Sequence, residues 1–307
     1  MVKVSFIVPT YNNGAKCYKR AYKSIRAQTI SDYEIIVVDD CSQDGTRAIF
    51  SKLKGVVYLR MAVNGGKSKA VNRALKKSTG EFIVIVDDDN ELHPTFLQET
   101  MGAIERESAR ELARDNESYM AVTTGRMVRH LGYDDYAPAY FQSGLGFTAI
   151  DWGWLIRKKA FDQIKYDESL YGDEDADFGI QFFKRFRAYP LDKPLQTAYA
   201  YGGESVCYPT EKRLSSLLRF YNKNYLEYMD AGPKDISFLN RFMARNLYLA
   251  GRKKDAIGYF WKAFKEWKTG RTLVHFLVSL ISYRTYYYLM RIEEKYYSKK
   301  RLKNYGL

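Results

Sequence analysis

A chain of 307 residues, 46% hydrophobic and 28% charged, has enough apolar material for one large or two smaller folded domains, which excludes a disordered polymer. The formal charge is +13 and unevenly placed: residues 211–307 carry 21 Lys and Arg against 8 Asp and Glu, whereas residues 1–210 carry 28 of each. All of the excess positive charge therefore belongs to the C-terminal third, which predicts two functional parts, the second facing an anionic partner.

In chain order, residues 4–9 (Val-Ser-Phe-Ile-Val-Pro), 34–38 (Glu-Ile-Ile-Val-Val) and 81–86 (Glu-Phe-Ile-Val-Ile-Val) read as buried strands. Each is a short apolar run, rich in β-branched residues, that stops at polar ones. Residues 56–60 read as a weaker strand. Stretches 16–28, 45–53 and 67–78 have helical spacing and crossover length. The alternation predicts a mostly parallel sheet with helices on both faces. Residues 105–145 are polar and irregular, residues 150–161 suggest a strand turning into a helix, and a helical pattern follows Asp173-Glu174-Asp175. Beyond residue 211 the periodicity is helical over 213–229, 236–250, 252–268 and 272–290, with a break at Ala-Gly-Pro 231–233. In the third of these, Ile257, Phe260, Trp261, Phe264 and Trp267 fall on one face. The last is the most apolar, with the aromatics Phe276, Tyr283, Tyr286, Tyr287 and Tyr288, and the tail from Lys295 to Lys303 is basic.

In parallel sheets, ligands bind beyond the carboxyl ends of the strands. Those ends here read Pro9-Thr10-Tyr11-Asn12-Asn13, Asp39-Asp40-Cys41-Ser42 and Asp87-Asp88-Asp89-Asn90. Each alone has a plain structural explanation as a turn or a helix cap, but three polar clusters converging on one edge do not. Three adjacent carboxylates repel one another, and a hard divalent cation such as Mg²⁺ or Mn²⁺ relieves that repulsion. Neither a dinucleotide glycine loop nor a P-loop is present; Asn64-Gly65-Gly66-Lys67 lacks the Walker spacing, although its glycines let backbone approach a ligand. The second carboxylate cluster, Asp173-Glu174-Asp175 with Asp177, is either a helix cap or the source of a general base.

Taken together and in order, these motifs over about residues 3–205 resemble the GT-A fold glycosyltransferases of family 2. The matching segments are Val4–Asn12, Ile36–Thr46, Asn64–Asn72, Thr79–Phe82, Val86–Asn90 and Gly172–Phe178. The resemblance implies an α/β catalytic domain over 1–210, with a Rossmann-like, mostly parallel sheet, and the helical periodicity that follows makes 211–307 an all-helical extension. It implies that Pro9, Thr10 and Tyr11 frame a nucleoside, and that Asp40, rather than Asp39, accepts a hydrogen bond from the base. Lys67 would lie near the base or phosphates, and Asp87 and Asp88 would contact the ribose and the surroundings of a metal. Asp89, with Asp87 nearby, would hold Mn²⁺ or Mg²⁺ on the diphosphate. Asp175 would be the catalytic base, with Glu174 beside it. The implied reaction moves a sugar, with inversion, from a nucleotide donor (UDP-linked) to a hydroxyl of a glycan or glycoconjugate. Where many relatives carry a His near the diphosphate, residues 201–207 have none. Trp152 and Trp154 either line the acceptor pocket or pack in the core. A nucleotidyltransferase and a non-catalytic sugar-nucleotide binder are the alternatives.

The remaining expectations concern surroundings. Cys17, Cys41 and Cys207 are odd in number and widely spaced, which fits neither a disulfide framework nor a zinc site and suits a reducing compartment. No signal peptide and no spanning helix is predicted. The basic, aromatic helices suit an anionic membrane surface, an acceptor or a second subunit, giving a cytoplasmic enzyme peripheral to the inner face of the cell membrane. No nucleic-acid motif is present.

Overall fold

The computed structural model describes residues 3–113, 119–130, 133–137, 153–200 and 210–281, with single helical positions beyond at 285, 286, 288, 292, 296, 299 and 303. Strand β1 (Val4–Thr10) leads into a helical run of α1 (Gly14–Cys17), a π turn (Tyr18–Tyr22) and α2 (Lys23–Arg26). Then come β2 (Tyr33–Asp39), α3 (Thr46–Phe50), β3 (Val56–Arg60), α4 (Lys67–Leu75), β4 (Phe82–Ile85), β5 (Glu91–Leu92) and α5 (Phe96–Leu112). β6 (Ala121–His130), β7 (Tyr133–Ala137), β8 (Trp154–Arg157), a 3-10 turn, α6 (Glu174–Phe183) and β9 (Ala188–Ala200) complete the sheet region. Four helices follow: α7 (Glu211–Ala231), α8 (Pro233–Leu249), α9 (Lys253–Glu266) and α10 (Gly270–Ile281).

The sheet order is β3-β2-β1-β4-β8-β6-β9-β5, with β7 beside β6. β1 lies between β2 and β4 and is parallel to both, with Thr10 opposite Asp39 and Ile7 opposite Ile85. All seven β1 residues are buried. They alternate between two apolar layers, which is why the run is apolar without interruption. Phe6 and Val8 face a layer with Val37, Phe50, Phe96 and Cys17, and Ile7 faces Ile36, Val71, Ile85, Phe178 and Phe182. This double cover fixes the register, because a one-residue slip would exchange the two faces. β8 runs antiparallel to β4, and β6 pairs parallel with β9 through an irregularity at Gly125.

The described residues divide into two compact units. One comprises residues up to 137, 153–168 and 174–200, and the other 169–173 with the helices from 210 onward. In the helical unit Thr210 caps α7 by accepting from the Arg213 N–H. Gly232, at φ 118°, breaks the chain before Pro233 opens α8. On α9, Ala256, Phe260 and Ala263 are buried, while Trp261 is exposed, so the aromatic face read from the sequence is divided between core and surface. Among the described residues no helix is long and apolar enough to cross a membrane.

Candidate active site

The parallel strands β1, β2 and β4 end at the same edge, and their polar termini are tied to one another. Thr10 Oγ1 donates to Asp88 Oδ2 at 2.7 Å and Asn13 Nδ2 to Asp88 Oδ1 at 2.7 Å, so the first and third motifs form one hydrogen-bonded unit. Withdrawal from water raises the Asp88 pKa to about 6, the hydrogen bonds from Thr10 and Asn13 restrain the rise, and the charge of Asp89 adds to it. Asn12, in the left-handed region at φ 49°, takes its N–H to Ser42 Oγ (2.8 Å) and its side-chain oxygen to the Gln43 N–H (2.6 Å). Gly14 is a glycine because an added Cβ would sit 2.5 Å from the Thr46 Cα.

The second motif divides its two carboxylates. Asp39 is fully buried and accepts from the Ser42 N–H at 2.7 Å, from Arg60 at 2.5 Å and from the Tyr58 hydroxyl. It is an internal strut, and the donor-contact reading of Asp39 is corrected on that ground. Burial works to raise its pKa, but the hydrogen bonds of Ser42, Tyr58 and Arg60 outweigh it and hold the carboxyl below its ordinary range. Asp40 accepts the Gly65 and Gly66 N–H groups at 2.8 and 2.7 Å, which folds the Asn64–Lys67 loop over the end of β2. Gly66, at φ 87°, makes that turn possible and starts α4 at Lys67.

A stability experiment follows from the strut. With its folded pKa below the unfolded one, Asp39 contributes stability that is complete above the unfolded value and lost as pH falls through the folded value. Tyr58→Phe is expected to lose about 1.5 kcal/mol at neutral pH, the lower end for a hydrogen bond to a charge. That difference should shrink as pH falls through the folded pKa, below the ordinary carboxyl range, where the folded carboxyl takes a proton. Urea unfolding of both proteins at pH 7 and pH 3 measures it; a difference independent of pH would dissociate Tyr58 from the charge of Asp39.

The decisive contact crosses the catalytic unit. Lys67 Nζ lies 2.8 Å from Asp87 Oδ1 and 3.0 Å from Asp175 Oδ2, so one ammonium joins the third strand-end motif to the carboxylate cluster of α6. Asp175 lies in the first turn of α6 with Glu174 and Asp177, where the helix dipole favours negative charge. Glu174 and Asp177 are both buried, and Asp177 accepts from Gln181 at 2.7 Å. The Asp89 carboxylate makes no hydrogen bond or ion pair among the described residues, while its backbone carbonyl accepts from Arg20 at 3.1 Å. Arg20 stands 3.7 Å over the Tyr199 ring, and the Tyr199 hydroxyl donates to Glu91 at 2.7 Å. Sequence reasoning missed Arg20 and Tyr199, since nothing local links them; the π turn that carries Arg20 is a feature often found at functional sites.

Pro9 and Thr10 are buried at the end of β1, whereas Tyr11 is 48% exposed and offers its ring at the strand-end edge. Trp154 is 2% exposed and packs edge-on against Phe182 and Phe183, so it has no free face for a sugar and the acceptor-pocket reading of it is corrected to core packing. Trp152 and residues 201–207 lie outside the described residues. Cys17 is buried beside Asp88, and burial pushes its thiol well up, which makes it inert.

Comparison with known proteins decides the class. The model for glycosyl transferase family 2 matches residues 5–165, just over half the chain and all three strand-end motifs. The chain belongs to glycosyl transferase family 2. It is 38% identical over 217 residues to TarP, a poly(ribitol-phosphate) beta-N-acetylglucosaminyltransferase of Staphylococcus aureus, across 66% of this chain and 62% of TarP. It thus spans less than two thirds of that relative's length. The crystal structure of S. aureus TarS 1-349 in complex with UDP-GlcNAc superposes with a TM-score of 0.55 at 21% identity, over 86% of this chain and 73% of that one. A mannosyltransferase of Pyrobaculum calidifontis in complex with GDP-Man and Mn²⁺ superposes with a TM-score of 0.58 at 16% identity, over 95% of this chain and 84% of that one. At these identities the structures speak for the fold, which is of the GT-A type with C-terminal helices. The protein is a family 2 glycosyltransferase with a mixed α/β catalytic sheet.

Proposed function

We propose that this family 2 enzyme transfers a sugar, with inversion, from a UDP-linked donor to a hydroxyl of a cell-surface glycan, a glycoconjugate or a polyol-phosphate chain. The observation that carries the reading is the Lys67 bridge between Asp87 and Asp175, which supports a single centre built from both carboxylate motifs. Asp175 takes the proton of the acceptor hydroxyl as its oxygen attacks the anomeric carbon. The bond from that carbon to the diphosphate breaks on the opposite side, which inverts the configuration. Lys67 orients Asp175 from one side and stands beside the diphosphate on the other. Tyr11 stacks on the base at the edge bounded by Asp40 and its Gly65-Gly66 loop, with Pro9 and Thr10 as the floor. Glu174 supports the turn that presents Asp175.

The residues fit a divalent cation. Among the described residues no three His, Cys, Asp or Glu side chains converge as a closed metal cage. Mg²⁺ and Mn²⁺ in such sites take only one or two carboxylates and complete their shell with phosphate oxygens and water. Asp89 has the uncommitted carboxylate for that role, and Asp87 lies beside it. When bound, the ion neutralises charge on the departing diphosphate. Thr10 and Asn13 hold Asp88, and Arg20 holds the Asp89 carbonyl, so the turn that presents Asp89 is fixed by its neighbours. Residues 211–307 are the docking unit of an enzyme at the cytoplasmic face of the cell membrane.

The test is release of nucleoside diphosphate from a panel of UDP- and GDP-sugars, with Mn²⁺ or with EDTA. Metal-dependent release from a UDP-sugar is expected, with UDP-N-acetylhexosamines the first candidates given the activity in the name of TarP. Release from GDP-sugars alone would overturn the donor assignment, and equal release in EDTA would overturn the cation.

A further inference from the structure

Helix α10 is built inside out. Its inward residues are Thr272, His275 and Ser279, all buried, while Leu273, Val274, Leu277, Leu280 and Ile281 are each between 37% and 67% exposed. At 100° per residue those five aliphatic side chains form one continuous stripe. The inward polar face is a designed contact, because its groups are satisfied. Thr272 Oγ1 donates to the Trp267 carbonyl at 2.7 Å, Ser279 Oγ donates to the Phe276 carbonyl at 2.6 Å, and the Tyr248 hydroxyl donates to the Ser279 carbonyl at 3.2 Å. The His275 ring stacks on Phe260 of α9. The apolar stripe therefore faces outward with the helix properly seated, and water is a poor neighbour for five adjacent aliphatic side chains.

We propose that this outward face of α10 seats on an anionic lipid bilayer, lying in the plane of the interface. Among the described residues no helix is long and apolar enough to cross a membrane, and the exposed aliphatic residues of α10 keep to one side opposite a buried polar one, the pattern of a helix lying in the interface. The edges of the stripe carry what an interface selects. Trp261, 43% exposed, packs on Phe276 at 5.1 Å. On α9, Lys254, Trp261 and Lys265 share one face by helical spacing. Lys253 Nζ donates to the Leu280 and Ile281 carbonyls at the end of α10. Further along, Tyr288, Ile292 and Tyr296 are exposed at steps of four, followed by exposed Lys299 and Lys303. Residues 252–303 hold 14 Lys and Arg against 4 Asp and Glu. Charge decides the occupant: pairing two copies through this face would oppose two strongly basic surfaces, whereas acidic headgroups complement it.

The inference deepens the docking role proposed above and is independent of the donor chemistry. The full chain is sedimented with vesicles of phosphatidylcholine alone and of phosphatidylcholine with phosphatidylglycerol, beside the double variant Val274→Glu/Leu277→Glu. The wild type is expected to pellet with the anionic vesicles only, and high salt should release it. The double variant should lose at least about tenfold in partitioning, since two buried aliphatic contacts each exceed the energy of that factor. Its thermal unfolding and its nucleoside diphosphate release should match the wild type, which separates failure of docking from failure of the enzyme reading. Equal pelleting of the two proteins would overturn the proposal. So would a dimer seen by light scattering in the wild type and absent from the variant, which would give the face to a second copy.

Discussion

Asp175→Asn should lower kcat by about 10²–10⁴-fold, the usual contribution of a positioned general base, equivalent to about 3–5 kcal/mol of barrier. The amide has the size of the carboxylate and can still accept a hydrogen bond from Lys67, but it cannot take the acceptor proton. Lys67 keeps Asp87, 2.8 Å away, so the ammonium retains an anionic partner and α4 stays anchored. Donor affinity should change little, because the strand-end groups assigned to the nucleotide, Tyr11 and Asp40, are untouched. The matching control is Asp177→Asn. Asp177 is buried in the same turn and bonded to Gln181, so its loss should lower stability and leave kcat close to wild type. Steady-state kinetics with acceptor, together with nucleotide binding measured separately, divides these effects. If Asp175→Asn kept activity within about tenfold of wild type, the proton would have another destination, and the buried Glu174 would be the next candidate.

The catalytic layer was readable in the sequence for a physical reason. β1, β2 and β4 are buried on both faces, so each appears as an unbroken apolar run, and each ends at a polar cluster that the parallel arrangement carries to one edge. β6 and β9 were not readable. β9 runs Ala188–Ala200 and includes Pro190, Asp192, Lys193 and Pro194, residues that argue against a strand. It forms because β6 and β5 pair with it, a tertiary effect with no local signature. Within the site, Asp87, Asp88 and Asp89 look equivalent in sequence. The chain turns them three ways: one to Lys67, one to Thr10 and Asn13, and one whose carboxylate has no hydrogen bond or ion pair among the described residues. Asp39 and Asp40 diverge in the same manner, one inward to Tyr58 and Arg60, one to the Gly65-Gly66 loop. Trp154 shows the limit for aromatics, since a ring that stacks on sugar and a ring that packs on Phe182 have the same local sequence. The inverted polarity of α10 was visible in principle: Thr272, His275 and Ser279 recur at i, i+3 and i+7, the spacing of a buried face. The overall apolarity of the segment hid it.

The largest stability effect should come from a contact inside the helical unit that joins Asp173 of the carboxylate cluster to Arg213, a residue no motif announced. Arg213 on α7 and Asp173 form a bidentate pair with side chains only 2% exposed, Arg213 Nη2 lying 2.6 Å from Asp173 Oδ1 and Nη1 bonding the other oxygen. The segment 169–173 is laid along the start of α7 by further contacts. The Tyr171 N–H donates to Ser216 Oγ at 2.6 Å, Arg219 donates to the Ser169 carbonyl at 3.1 Å, and Lys212 stands 3.9 Å over the Tyr171 ring. Gly172, at φ 94°, allows the approach, since an added Cβ would lie 2.8 Å from Arg213 Nε. Removing one partner strands the other charge away from water, so Asp173→Ala and Arg213→Ala are each expected to cost about 3–5 kcal/mol. The pair need not be a net source of stability, because both ions were desolvated to make it. The double variant Asp173→Leu/Arg213→Met removes both ions and fills similar volume, and it should recover most of the loss. Urea unfolding of the two single variants and the double variant measures the coupling. Single variants within about 1 kcal/mol of wild type would mean that water reaches the pair and screens it. Additive losses in the double variant would mean that packing of the long Arg213 stem, not the charge pair, holds residues 169–173 on α7.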